Sequence, residues 1–152
     1  MGSELIHIPD QERLSEVNKV CSTPGPYLAP KNFPQDFKRA MIQNINWHAE
    51  RNIFYRNLLA ANQWVDNADL SLLPFIHANF FKKHEVLSIP KEKVFLHLTS
   101  SGTTGQKSQI FFDEWTIKSA QRMVDWIFEY YGLINQEKAN YLLYTYEPEG
   151  AD

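Results

Sequence analysis

Cysteine is almost absent from this chain, with Cys21 the only one in 152 residues. A single thiol excludes an internal disulfide framework and any zinc or iron–sulfur site built from several thiolates of this chain. Positive charge is not in excess either: 15 Lys and Arg face 18 Asp and Glu, leaving a formal charge of −3. The basic surface that nucleic acid demands is missing, so no nucleic-acid partner is expected. No apolar run approaches the roughly 18 residues of a membrane span, and no charged-then-apolar leader opens the sequence. Internal repeats and low-complexity tracts are lacking too. The expectation is a soluble, cytoplasmic protein.

What is present is apolar and aromatic. Hydrophobic residues make up 43% of the chain and charged ones 22%, which is enough to build a core rather than stay disordered. The length suits one domain. Its 10 Phe, 4 Trp and 7 Tyr imply more apolar surface than so short a chain covers by itself.

Leu14, Val17 and Val20 recur at spacings of three, so Asp10–Cys21 reads as a short amphipathic helix. Pro24, Pro26, Pro30 and Pro34 then crowd Ser22–Pro34. Each ring fixes φ and removes a donor, which predicts an extended connector. Residues 1–34 thus read as an N-terminal helix plus connector, and 35–152 as the main domain. Phe37, Met41, Ile45 and His48, continued by Phe54, Leu58 and Ala61, predict one helical run over Gln35–Ala61 with that stripe in the core. Trp47, Tyr55 and Trp64 add aromatic bulk beside it. Asn79–His84 reads as a short helical turn or an apolar plug. Alternation over Lys91–Leu98 predicts a strand, and a second follows at Gln109–Phe112. Strand, polar loop, strand is a hairpin-like unit. Asp113 or Thr116 then caps a helix to about Tyr131, with Ile117, Ala120, Val124, Ile127 and Tyr131 on its apolar face and Gly132 as its stop. Tyr141–Tyr146 reads as a buried strand. The fold class expected is α/β, with helices flanking a partial mixed sheet.

The loop between the two predicted strands carries the chemistry. Thr99-Ser100-Ser101-Gly102-Thr103-Thr104-Gly105-Gln106-Lys107-Ser108 concentrates hydroxyls, two glycines and a lysine. Glycines let successive N–H groups curl inward into an electropositive concavity. Hydroxyls donate to phosphate oxygens, and Lys107 supplies a cation. Each hydrogen bond to a charged oxygen contributes about 1.5–3 kcal/mol, so several together can hold a polyphosphate. The loop departs from the common P-loop, because its second glycine, Gly105, comes two places early before Lys107. An ordinary polar turn has the same composition and stands as the alternative.

This run resembles the phosphate loop of adenylate-forming ligases, and most closely that of the acyl-protein synthetase (LuxE) branch known from bacterial bioluminescence. There Ser-Ser-Gly-Thr precedes Gly-x-Lys-Ser-Gln, as Ser100–Thr103 precedes Gly105–Gln109 here. Gln106 and Ser108 replace the proline and glycine of many acyl-CoA synthetases, which favours the same branch. Leu73-Pro74-Phe75, Phe80-Phe81-Lys82 and the helix after the loop extend the likeness over about residues 35–135. The resemblance implies that ATP and a fatty or other carboxylic acid react to acyl-AMP, which passes its acyl group to a protein thiol. It assigns ATP-phosphate contacts to Thr103, Thr104 and Lys107, with Thr99, Ser100, Ser101, Gly102 and Gly105 shaping the cradle. It also implies Mg2+, with its ligand outside this chain, and an acyl-CoA reductase-like partner. The adenine pocket and acceptor cysteine of the family would lie beyond Asp152. The chain is therefore expected to be the incomplete N-terminal part of a ligase large domain, inactive alone, with no catalytic residue of its own. A CoA ligase of the phenylacetate type and a non-catalytic interaction domain are the rival readings.

Other candidates are weaker. Cys21 reads as a small hydrophobe. His7, His48, His77, His84 and His97 form no metal-binding spacing, so no metal site is expected within the chain. His97 reads as a half-buried sheet residue beside the loop, and Lys82-Lys83-His84 as a solvated face.

Overall fold

The computed structural model describes residues 7–25, 27, 30–66, 69–99, 107–133, 138, 140 and 142. Helices α1 (Ser15–Cys21), α2 (Phe33–Arg51) and α3 (Ile53–Ala61) come first. Single 3-10 turns follow at Leu70–Leu72, Ala78–Lys82 and Lys91–Lys93. Strands β1 (Leu96–Thr99) and β2 (Gln109–Phe112) then lead into helix α4 (Glu114–Tyr130). The class is α/β only loosely, since helix dominates. The expected mixed sheet gives way, among the described residues, to one antiparallel pair in the order β1–β2. The short connection between the strands explains this, because a parallel pair needs a crossover of about a dozen residues or more.

Helix α1 starts later than its apolar spacing suggests. Asp10 lies in left-handed backbone at φ 58°, and residues 9–14 form turns before regular helix begins at Ser15. Seven residues are too few to hold a helix by propensity, so packing against α2 must supply the stability. Gln43 of α2 does part of this, its Oε1 accepting from the backbone N–H of Glu16 at 2.8 Å and Val17 at 3.1 Å. Two otherwise orphaned donors at the start of α1 are thereby satisfied.

The connector also ends sooner than the prolines imply. Pro34 sits in the first turn of α2, where its missing N–H costs nothing and its fixed φ suits a helix. The single run expected over Gln35–Ala61 is two helices, broken at Asn52, whose backbone is extended at φ −126°, ψ 109°. The Asn52 side chain caps α3, accepting from the Tyr55 N–H at 2.9 Å, and donates to the Leu87 carbonyl at 2.9 Å.

Ile8, Leu14 and Trp47 form the central buried cluster, with Val17, Ile89 and Trp115 packed on it. Of the expected α2 stripe only Ile45 is buried; Ala40 and Trp47 are buried with it, while Phe37 is exposed. Asp113 caps α4 by accepting from the Thr116 N–H at 2.7 Å, and Gly132 follows at φ 63° in the left-handed region that glycine tolerates. The apolar face of α4 is not in the core: none of its residues is buried, and Val124 is 42% exposed. The expected strand Tyr141–Tyr146 lies outside the described residues except Leu142, which is 77% exposed.

Candidate functional site

The polar loop joins the two strands of the hairpin. Leu96 pairs with Phe112, His97 with Phe111, Leu98 with Ile110, and Thr99 with Gln109. Thr99 is therefore the last ladder residue on β1, and Lys107 stands two places ahead of its cross-strand partner. Both are exposed and belong to the same end of the hairpin. Ser100, Ser101, Gly102, Thr103, Thr104 and Gly105 lie outside the described residues. Of the candidate cradle, the structure describes only the flanking residues Thr99 and Lys107, at the same end of the hairpin.

Register also decides which forces can act on an anion there. Helix α4 begins after Phe112, at the far end of β2 from the loop. Four strand residues separate them, on the order of 13 Å at the usual rise. A helix dipole falls off within its first turn, so α4 cannot stabilise phosphates held at the loop. Backbone amides, hydroxyls and the Lys107 ammonium are what remain. Among the described residues no three His, Cys, Asp or Glu side chains come together to hold a metal ion.

His97 departs from its expected half-burial. It is exposed, its ring stacked on Phe111 at 4.4 Å and 9°. An edge pair with no further strand beside it, among the described residues, leaves that ring open to water. Of the basic cluster, Lys83 and His84 are exposed, but His84 stacks on Phe80 at 4.2 Å. Cys21 has its thiol pushed above the ordinary 9.0 by burial, with Arg122 pulling the other way. A protonated, half-covered thiol behaves as a small hydrophobe.

A second feature carried no sequence signal strong enough to find it. Between α2, the segment around Val86–Ile89 and the β2–α4 junction lies a cavity of about 310 Å3. Ile76, Phe81, Val86, Phe111 and Trp115 give it apolar walls, and His48, Asn52, Ser88 and Asp113 line it too. His48 Nδ1 is 2.7 Å from Ser88 Oγ. His48 and Asn52 are one helical turn apart, and that i,i+4 spacing was the only hint available; nothing in the sequence around Ser88 pointed to it. Burial, and then Arg51, push the His48 pKa below its ordinary 6.5, with Asp113 opposing.

These features define a mostly helical chain that presents a hydroxyl- and glycine-rich hairpin loop flanked by a lysine. The family model described as acyl-protein synthetase, LuxE, matches residues 14–148 and so spans the loop and all of the cavity lining except Ile8 and Pro9. The chain belongs to that family of acyl-protein synthetases. No curated protein matches it, and no solved structure does. No helix among the described residues is long and apolar enough to cross a membrane.

Proposed function

We propose that this chain is the nucleotide-holding part of an ATP-dependent acyl-protein synthetase, with residues 99–108 gripping the ATP phosphates. A free carboxylate is a poor acyl donor because its leaving oxygen is strongly basic. Attack of a fatty or other carboxylic acid on the α-phosphate replaces that oxygen with AMP and expels pyrophosphate. A protein thiol then takes the acyl group. The loop stabilises charge building on the departing pyrophosphate, using donors already in place rather than reorganised water. Thr103, Thr104 and Lys107 make the phosphate contacts, and Thr99, Ser100, Ser101, Gly102 and Gly105 shape the cradle. The magnesium of such a reaction would take its ligand from outside this chain.

The observation that carries this reading is the hairpin: Thr99 pairs with Gln109 at the loop end of the ladder, and Thr99 and Lys107 are both exposed there. Membership of the acyl-protein synthetase family supports the reaction class. Gln106 and Ser108 resemble the acyl-protein synthetase branch more than typical acyl-CoA synthetases. A soluble cytoplasmic enzyme working beside an acyl-CoA reductase-like protein fits that chemistry. Titrating pyrophosphate against the chain tests the cradle: Lys107→Ala removes the cation and Gly105→Val fills the curled backbone. Both variants are expected to bind pyrophosphate more weakly, and unchanged binding in both contradicts the assignment.

A further inference from the structure

We propose that Ser88 and His48 form a nucleophile–base pair, and that the cavity they line accepts the acyl chain of an activated carboxylic ester and leaves it on the Ser88 hydroxyl. The two atoms that must exchange a proton, Ser88 Oγ and His48 Nδ1, lie 2.7 Å apart, inside the reach a general base requires. The contact is braced. Asn52, the residue that ends α2 four places after His48, donates to the carbonyl of Leu87 at 2.9 Å, which fixes the backbone next to the nucleophile. His48 is itself wedged edge-on between the rings of Trp47 at 5.1 Å and Tyr55 at 6.3 Å.

The surroundings favour the chemistry. A neutral imidazole with its proton on Nε2 offers Nδ1 as an acceptor for the serine O–H. The charged groups that act on it are Arg51 from its own helix and Asp113 from the β2–α4 junction, while Tyr55 of α3 is un-ionised because burial raises its phenol. Arg51 is engaged by Asp10 and Glu50. Walls such as Phe81, Val86 and Trp115 suit a hydrocarbon chain and exclude a charged one. The volume of about 310 Å3 is near the lower limit of ligand pockets, so short to medium chains are the class expected.

In the step, Oγ attacks the ester carbonyl carbon as its proton passes to Nδ1. Collapse of the tetrahedral intermediate breaks the bond to the leaving oxygen, which departs as an anion or takes the proton back from Nδ1. The products are an ester on Ser88 and the released alcohol or phenol. Nothing in this step depends on the ATP loop, so its failure and that of the cradle are separate results.

The probe is p-nitrophenyl hexanoate, added to the full chain and followed by nitrophenolate release and peptide mass mapping. One acyl group on Ser88 is expected. Ser88→Ala abolishes that adduct, and His48→Gln slows its formation by roughly 100-fold or more. The parent protein supplies a check that needs no variant: the labelling rate holds above pH 6.5 and falls at lower pH as His48 gains its proton. An adduct on another residue, no adduct at all, or a rate indifferent both to His48→Gln and to acid overturns the proposal.

Discussion

Trp47 donates its indole N–H at 3.1 Å to Asp10, whose own backbone is left-handed, at φ 58°. Trp47 is buried and belongs to the central cluster with Ile8 and Leu14. The same carboxylate pairs with Arg51, whose guanidinium lies over the Trp47 ring at 4.4 Å. One acid thus ties the N-terminal segment to the C-terminal half of α2. Asp10→Ala strands a buried N–H and puts alanine at positive φ, and is expected to cost about 1–3 kcal/mol in urea unfolding. Asp10→Asn keeps an acceptor and tolerates the backbone, so it should cost clearly less.

Gln43 is the second tie. Its replacement by leucine leaves the N–H groups of Glu16 and Val17 without their acceptor. The expected result is a loss on the order of 1–2 kcal/mol, comparable to removal of a helix cap. Hydrogen exchange should locate it, with the amides of α1 exchanging faster while those of α3 are unaffected.

Burial holds the folded-state pKa of His48 below its ordinary 6.5. The unfolded chain therefore binds the proton more readily than the folded one. Linkage makes stability rise with pH through that window: the contribution of His48 is complete above pH 6.5 and is lost progressively as the pH falls below it. Thermal melts across pH 5 to 8 should show a decline on the acid side that His48→Gln flattens.

Asp113 has two roles that substitution separates. It caps α4 through the Thr116 N–H, and its charge pulls the His48 pKa upward against burial. Asp113→Asn retains a cap but drops the charge; Asp113→Ala loses both, at about 0.5–2 kcal/mol for the cap. The His48 titration followed by NMR should move to lower pH in both variants, and only Asp113→Ala should show the loss of stability.

Local chemistry was legible in the sequence wherever one residue decides a structure. The hairpin, the start of α4 at Asp113 or Thr116 and the Gly132 stop were all legible from local residues, and the structure selects Asp113 as the cap. Features set by contacts between distant segments were not. Asn52 breaks the α2–α3 run because it finds the Leu87 carbonyl, a residue far along the chain. Lys91–Lys93 is a 3-10 turn rather than the start of β1, although the alternation of Val94, Leu96 and Leu98 looked continuous from there. Apolar periodicity in α4 correctly gave a helix, yet none of its residues is fully buried, since period reports conformation and not what covers the face. The loop chemistry was readable as residue types, and the Ser88–His48 contact was not, because no local spacing joins them.

The grip of residues 99–108 on the ATP tail is tested most directly by phosphorus NMR of ATP titrated with the full chain and with Lys107→Ala. With the parent, the β- and γ-phosphate resonances should shift and broaden more than the α resonance. With Lys107→Ala those changes should require about tenfold or more protein, as loss of a charged hydrogen bond implies. Resonances that stay in place with the parent, or respond identically with the variant, would contradict a phosphate cradle at this hairpin.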